Sequence, residues 1–347
     1  MTISASCLRA ALSLLLLAAG AAWLPAASAA TNCSATSSTL AFGNVSTSTN
    51  TDTSTTFTVT CSSSGLTLSL AGRTRVRLCL NIGDGAQGGG NFNPRRMTST
   101  LDALQFQMYT DPARSQIWGS RLVSSIPTPL LLDMEYPVSV LTGIGSGSTT
   151  VTIYGRVPGA QTFFAGIYGN AFSGNHTSMD YRFDEPSLLG GSSYPASCTS
   201  GGDGGTSVNG AFPITTSARV PASCRAYATT DLDFGSVPGV IDSAIDQTST
   251  IGLTCTGRTS WLIGLNDGQN ASGGIRRMRQ GTTANYVSYD LYQDVGRTQR
   301  WGNGGTDSVL GTGTGAAQTL VVYGRVPPAQ APAAGSYSDV ITVTITY

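Results

Sequence analysis

Apolar and polar residues alternate along most of this chain, which is the pattern of β-strands that bury one face. The clearest case is the C-terminus, where single threonines separate the last apolar residues. These residues are Ile341, Val343, Ile345 and Tyr347. No segment has a convincing helical period, and glycine-rich turns separate the short strands. The pattern predicts an all-β chain built from antiparallel β-sandwiches.

The chain contains two copies of one sequence unit. Residues 108–119 (MYTDPARSQIWG) and 291–302 (LYQDVGRTQRWG) share Tyr, Asp, Arg, Gln, Trp and Gly at the same spacing. The blocks IYGRVP and VYGRVP follow them, one in each copy. Two long copies are too few and too large for a solenoid. The sequence therefore predicts two tandem domains of one fold, at about 31–220 and 221–347.

The N-terminus has the composition of a secretory signal peptide. An apolar run over 10–24 follows Arg9, and small residues lead up to Ala30. This pattern predicts a signal peptide at 1–30 rather than a membrane span. The mature chain is therefore expected to be exported.

The cysteines indicate an oxidising compartment. The sequence has seven, and all but Cys7 follow the signal peptide. An even number in an exported chain favours disulfides. Two cysteines of the first copy, Cys33 and Cys61, match two of the second, Cys224 and Cys255. The remaining two occur in the first copy alone. The predicted bridges are Cys33–Cys61, Cys224–Cys255 and Cys79–Cys198.

Charge and motifs argue against several classes of function. The formal net charge is zero and charged residues make up 11% of the chain, so we predict no nucleic-acid partner. His176 is the only histidine and is interpreted as a solvated loop residue. No nucleophile motif or metal-ligand cluster is present. We predict that the protein is not an enzyme and holds no cofactor or metal.

Charged and aromatic residues that both copies share are given structural roles. The repeated Asp, Arg and Trp are predicted to fix a turn and to fill the core. They are Asp111/Asp294, Arg114/Arg297 and Trp118/Trp301. The pairs Arg95-Arg96 and Arg276-Arg277 are interpreted as solvated charges at the edge of a turn.

The repeated blocks, written xFGxV, LYxDxxRTxxWG, VYGRVP and AGxYxDxxTVTITY, closely resemble the spore coat protein U domain family. The resemblance covers nearly the whole mature chain. It implies immunoglobulin-like sandwiches, of which a subunit lacks its final strand. In that family a periplasmic chaperone, and later the adjacent pilin, supplies the strand by β-augmentation during export through an outer-membrane usher. Two-domain members are tip adhesins of archaic chaperone–usher pili.

The two ends of the chain suggest a tip position. After cleavage, one or two residues precede Asn32, and Cys33 already belongs to the first copy. The chain stops at Tyr347. We therefore expect a chain that accepts a donor strand but does not donate one. The groove edge is predicted at the last alternating strand, namely at Ile341, Val343, Ile345 and Tyr347.

The first copy continues beyond its repeat into residues 206–220 (TSVNGAFPITTSARV). Its apolar residues share one parity, which predicts a strand that completes domain 1 in cis. These residues are Val208, Phe212, Ile214, Ala218 and Val220. Pro213 cannot donate to a ladder and indicates an edge or a bulge. The alternative is an interdomain linker.

The first copy also contains extra segments with apolar residues. The prediction is that they form finger loops at the distal end of domain 1 and contact a surface. The residues are Leu130, Leu131, Leu132, Met134, Tyr136 and, in a second loop, Phe92. The alternative is that 121–145 folds back as a packed hairpin.

The favoured function is a tip adhesin that mediates surface attachment and biofilm formation. Domain 1 would bind the target, and domain 2 would anchor the protein to the pilus rod on the cell surface. Two alternatives remain. One is a structural spore-coat or matrix protein. The other is a carbohydrate-binding module in which Tyr136, Phe92 or Phe163 stacks on sugars. The sequence does not identify the surface or host ligand.

Overall fold

The computed structural model describes residues 30–46, 48–65, 72–140, 142–162, 164–187 and 191–347. The predicted signal peptide, apart from Ala30, and Phe163 lie outside these residues. The described residues form an almost entirely β structure, which confirms the predicted fold class.

Among the described residues, twelve strands and one 3₁₀ turn precede Pro221. They are β1 Ala30–Ala35, β2 Ser38–Asn44, β3 Thr51–Ser64, β4 Gly72–Ile82, β5 Arg95–Thr98, β6 Ala103–Tyr109, β7 Leu130–Val138, β8 Gly145–Val157, β9 Gly166–Phe172, the turn Gly174–His176, β10 Thr177–Asp184, β11 Gly204–Asn209 and β12 Ile214–Val220. We call this part the first sandwich.

Eight strands and a second 3₁₀ turn follow. They are β13 Cys224–Thr229, β14 Ile245–Cys255, β15 Ser260–Leu265, β16 Arg276–Arg279, β17 Tyr286–Tyr292, the turn Gly305–Asp307, β18 Val309–Thr312, β19 Ala317–Val326 and β20 Val343–Thr346. We call this part the second sandwich.

Each sandwich contains two sheets. The first has an eight-stranded sheet, in the order β1-β3-β8-β6-β5-β9-β12-β2, and a four-stranded sheet, β11-β10-β4-β7. The second has a five-stranded sheet, β13-β14-β19-β17-β16, and a three-stranded sheet, β18-β15-β20. Buried apolar side chains form one core cluster in each sandwich.

The repeated tryptophans lie in the cores, as predicted. The Nε1 of Trp118 donates to the carbonyl oxygen of Leu80 at 2.8 Å, and the Nε1 of Trp301 donates to that of Ile263 at 2.9 Å. Both indoles are buried. Because the two bonds are equivalent, Leu80 of β4 and Ile263 of β15 occupy corresponding positions in the two sandwiches.

The repeated aspartates fix turns, also as predicted. Asp111 Oδ1 accepts hydrogen bonds from the backbone N–H groups of Ser115 and Gln116, at 3.0 and 2.7 Å. Asp294 Oδ1 makes the equivalent bonds in the second copy.

The prediction of solvated arginines is wrong for the first member of each pair, because Arg95 and Arg276 are fully buried. The Arg95 guanidinium donates to the carbonyl oxygens of Ile82, Gly83 and Trp118. Burial lowers the pKa of Arg95 to about 9. The rigid fork of donors on arginine can bind several carbonyl oxygens at once, so it joins strand ends inside the core.

The part of the chain that the structure describes contains three disulfides, which are Cys33–Cys61, Cys79–Cys198 and Cys224–Cys255. The first and third join residues that face each other across neighbouring strands. The second ties β4 to the segment that leads from β10 to β11.

Candidate functional site

In the first sandwich, β12 fills the space between two strands that would otherwise be separate. It runs parallel to β2 on one side and antiparallel to β9 on the other. The inward apolar residues of β12 are buried, namely Ile214, Ala218 and Val220, and so is Phe212 just before the strand. The first sandwich is therefore closed by residues of its own chain.

The prediction of one continuous strand over 206–220 is wrong. β11 pairs with β10 in the four-stranded sheet, where Val208 lies opposite Met179 and is half-buried. β12 belongs to the other sheet. The chain crosses between the sheets at 210–213, where Gly210 has a φ of +68° and Pro213 ends the crossing. One straight strand cannot pair with both sheets, so the segment divides.

The second sandwich has an open groove at the equivalent place. Its two walls are residues 231–237, the counterpart of β2, and residues 335–341, the counterpart of β9. The groove has a volume of about 490 Å³. Its apolar lining includes Leu232, Phe234, Ile251, Tyr337, Ile341 and Val343. In the described residues, no strand lies between the two walls.

The apolar side chains of the walls differ in burial between the two sandwiches. In the first sandwich Leu40, Phe42, Tyr168 and Phe172 are all buried. Their counterparts Leu232, Phe234, Tyr337 and Ile341 are half-buried. Val45 is 4% exposed, whereas its counterpart Val237 is 42% exposed. The second sandwich therefore presents to solvent the surface that β12 covers in the first.

Backbone groups along the groove are also open. Ser338 pairs with Arg279 of β16 on the side away from the groove. Within 231–237, the backbone N–H of Gly235 donates to Asp233 Oδ1, and this local bond does not connect the wall to another strand. The walls therefore offer donors and acceptors to an added strand, as the edge of a sheet does.

Polar contacts hold one wall in place. Asp339 Oδ1 accepts a hydrogen bond from the backbone N–H of Gln269 at 3.0 Å, and Asp339 Oδ2 accepts one from the Tyr289 hydroxyl at 2.8 Å. Burial, together with the adjacent Asp339 carboxylate, raises the pKa of Tyr289. The phenol therefore stays protonated and keeps donating to Asp339.

The structure brings only two of the four predicted groove-edge residues to the groove. Ile341 and Val343 line the groove. However, Val343–Thr346 forms β20, which pairs with β15 in the opposite sheet. Ile345 packs against the core, and Tyr347 is 56% exposed. Sequence reasoning missed the wall at 335–341, although the alignment of Tyr337 with Tyr168 in β9 could have located it.

The predicted finger over 130–136 is wrong, and so is the alternative hairpin, because the segment packs on the core as a single edge strand. Leu130–Val138 forms β7, which pairs with β4. Met134 and Tyr136 point into the core, and the Tyr136 hydroxyl lies 2.8 Å from Ser63 Oγ. Leu130 and Leu132 are half-buried. Alternation along the segment reflects an edge strand with one buried face.

The second predicted finger is not a free loop either. The Asn170 side chain donates to the carbonyl oxygen of Asp84 and accepts from the N–H of Gln87, which ties residues 83–94 to β9. Phe92 is half-buried. His176 is not simply solvated, because its Nδ1 lies 3.1 Å from Asp84 Oδ1.

Two exposed apolar side chains lie at the distal end of the first sandwich. We define the distal end as the end where Ser63 of β3 pairs with Gly145 of β8, opposite to the end where Thr51 pairs with Val157. At about 3.3 Å per residue the two ends are about 40 Å apart. Residues 139, 140 and 142–144, between β7 and β8, lie there, and Val140 and Ile144 are 46% and 59% exposed.

Neither a candidate metal site nor a membrane-spanning helix occurs in the described part of the chain. It contains no group of three or more His, Cys, Asp or Glu side chains that could bind a metal ion. None of its helices has the length and apolar character needed to cross a membrane.

Comparisons with known proteins point to one family. The sequence profile of the Spore Coat Protein U domain matches residues 21–173 and 209–344. Protein U of Myxococcus xanthus is 34% identical over 127 residues, which cover 33% of this chain and 71% of that protein.

Solved structures give a weaker similarity. The CsuC–CsuE chaperone–tip adhesion subunit complex from archaic chaperone–usher Csu pili of Acinetobacter baumannii is 17% identical, with 91% of this chain and 100% of that chain covered and a TM-score of 0.44. The CupB6 tip adhesin of Pseudomonas aeruginosa is 12% identical, with 92% and 95% covered and a TM-score of 0.34. We draw no functional conclusion from these scores.

Proposed function

Because the chain belongs to the Spore Coat Protein U domain family, we propose that it is a two-domain tip subunit of a chaperone–usher pilus. Residues 221–347 would form the domain that accepts a strand from the adjacent pilin. Residues 31–220 would form a self-complete domain that contacts the target surface.

One observation carries the proposal, namely that the same groove is filled in one copy and open in the other. β12 covers apolar side chains in the first sandwich, and their counterparts around Tyr337 remain partly in water in the second. An apolar groove with unpaired backbone groups on both walls is suited to an extended peptide strand. The proposed ligand of the second sandwich is therefore a β-strand of another protein.

The energy available from this binding is substantial. Burying apolar surface contributes about 25 cal/mol per Å², so covering four large side chains contributes several kcal/mol. A small domain has a total stability of only about 5–15 kcal/mol. We therefore expect the second sandwich to be marginally stable until the strand binds.

The proposed role as a tip subunit of a chaperone–usher pilus also suggests the partners and the cellular location of the protein. A periplasmic chaperone would occupy the groove first, and an outer-membrane usher would exchange it for the adjacent pilin. The protein would pass through the periplasm and end at the pilus tip on the cell surface.

The proposed adhesive surface is the distal end rather than β7. Val140 and Ile144 are exposed at the end of the sandwich away from Val220, where the chain leaves for the second sandwich. The burial of Tyr136 removes it as a platform for stacking on sugars. We therefore favour adhesion through apolar contact, with consequent surface attachment and biofilm formation.

Calorimetry of the mature chain tests the proposal. Two unfolding transitions are expected, and the lower one should rise with the concentration of a synthetic peptide of sequence 212–220, since a ligand stabilises the state it binds. The control is the same peptide with Ile214→Asp and Ala218→Asp, which should have no effect. A single transition that neither peptide changes would contradict the proposed strand-accepting role.

A further inference from the structure

The segment that closes the first sandwich has two parts rather than one. β11 extends the four-stranded sheet at the outer edge of β10, and β12 fills the space between β2 and β9. Residues 210–213 join the two strands across the side of the sandwich. Two open sheet edges are thus covered by one continuous segment.

The second sandwich has both of these edges open in its described residues. β20 pairs with β15 on one side, and no described strand lies on its other side. The groove between 231–237 and 335–341 is the second open edge. The difference shows in burial, because β10 is buried along most of its length whereas β20 alternates between half-buried and exposed residues.

We propose that the partner of the second sandwich is a two-strand segment that closes both edges. Its first strand pairs with β20, and its second strand fills the groove. This inference rests on the proposed function and adds the length and the sequence pattern of the partner.

The register of the first strand follows from the tryptophan bonds. Leu80 of β4 lies opposite Met179 of β10, and Ile263 of β15 lies opposite Ile345 of β20. Because Leu80 and Ile263 are counterparts, so are Met179 and Ile345. Met179 lies opposite Val208 of β11. The partner therefore places a β-branched or similar apolar residue beside Ile345.

The side chains expected on the second strand of the partner follow from the cross-strand pairs of β12, because side chains on one face of a sheet must fit each other. Ala218 lies opposite Tyr168, and Ile214 lies opposite Phe172. The counterparts of the two aromatic residues are Tyr337 and Ile341. The partner therefore has a small residue opposite Tyr337 and a side chain larger than isoleucine opposite Ile341.

The partner segment also has a defined position in its own chain. In this protein, Val220 is the last inward residue of β12, and Cys224 opens the first strand of the next sandwich four positions later. The connection Pro221-Ala222-Ser223 carries the chain from one to the other. The partner is therefore a homologous subunit whose N-terminal closing segment ends four positions before its first cysteine.

A covalent extension of the full chain tests the two-strand arrangement. Tyr347 is the counterpart of Tyr181, two positions beyond Ile345 and Met179. A copy of residues 182–220, with Cys198→Ser in the copy, is therefore appended after Tyr347. A second variant replaces 204–209 of the appended copy with alternating Gly and Ser. The control carries a Gly/Ser tail of the same length.

The complete extension is expected to raise the melting temperature of the second sandwich by about 5–10 °C over the control. It should also slow hydrogen exchange of the amides in both 335–341 and 343–347 by at least about tenfold. The second variant should raise the melting temperature less and protect 335–341 alone.

The outcomes separate the two hypotheses. Equal melting temperatures for the two extensions, with unprotected amides at 343–347, would overturn the two-strand arrangement and leave the groove as the binding site. No stabilisation by either extension would overturn the proposed strand-accepting role itself.

Discussion

The ring of Phe212 stacks on the indole of Trp118, with 5.6 Å between the ring centroids and 17° between the planes. Phe212 comes from the crossing between β11 and β12, whereas Trp118 belongs to the repeated turn motif. The closing segment therefore reaches the centre of the first core and does not merely cover its edge. Phe57 lies nearly parallel to the same phenylalanine at 5.6 Å and to Trp118 at 6.2 Å, so the three rings form one cluster.

Removing this side chain should destabilise the first sandwich selectively. We expect Phe212→Ala to cost about 3–5 kcal/mol, because it leaves a cavity beside the rings of Phe57 and Trp118. Differential scanning calorimetry of the mature chain should show the loss in the first transition only. Thr215→Ala, on the exposed face of β12, is the matched control and should leave that transition unchanged. A Phe212→Ala variant that melts like the parent would show that β12 does not close the core.

The bridge between Cys79 and Cys198 should also act on the first sandwich alone. It ties β4 to the segment over its sheet, with a sequence separation of 119 residues. Replacing both cysteines by serine should lower the stability of the first sandwich by about 2–4 kcal/mol. Denaturant unfolding followed separately for each sandwich would measure this. An equal loss in both would mean that the two sandwiches unfold as one unit.

The internal repeat determined how much of the fold could be predicted from the sequence. The alternation around residues 341–347 and the two copies of the tryptophan motif indicated two related β units, because buried faces repeat every second residue. Parity alone could not place β11 and β12 on different sheets, since both strands keep the same alternation across the crossing at Gly210.

The errors at the candidate sites have a common physical cause. Leu130–Leu132 look like an exposed apolar loop, but an added edge strand buries alternate residues just as a core strand does. Arg95 looks solvated because three of its partners are backbone carbonyl groups, which leave no trace in the sequence, and the fourth is the uncharged Gln107 side chain. In both cases, contacts with distant parts of the chain determine whether the residue is buried, and the local sequence pattern does not contain this information.

A half-buried carboxyl group makes the first sandwich sensitive to pH. Thr31 Oγ1 donates to Glu185 Oε1 at 2.9 Å. Burial is the main cause that raises the pKa of Glu185 above 4.5, and the nearby carboxylates of Asp203 and Asp184 raise it further, although the Thr31 bond opposes them. The folded state therefore favours the protonated acid, whose contribution is complete below about pH 4 and is lost as the pH rises through the raised pKa.

Glu185→Gln should therefore stabilise the first sandwich at pH 7 and have no effect below about pH 4. The gain is expected to be under about 1 kcal/mol, because the side chain is only half-buried. Thermal melts of the parent and the variant from pH 3 to pH 8 would measure it. Glu135→Gln, which removes a surface ion pair with Arg73, is the control and should not stabilise at pH 7. A gain from Glu185→Gln that persists at pH 3 would exclude ionisation as its cause.

The distal surface can be separated from the other exposed apolar residues of the same sandwich. Val140 and Ile144 lie at the distal end, whereas Leu131, which is 70% exposed, lies towards the far end of the adjoining strand β7. The double variant Val140→Ser, Ile144→Ser should reduce attachment of piliated cells to polystyrene at least about tenfold, because apolar contact is lost where the sandwich meets the surface. Leu131→Ser removes a similar apolar area and should leave attachment unchanged. Equal pilus assembly, measured by electron microscopy, is required for both variants. Equal loss of attachment in both would mean that general surface hydrophobicity, and not the distal end, mediates adhesion.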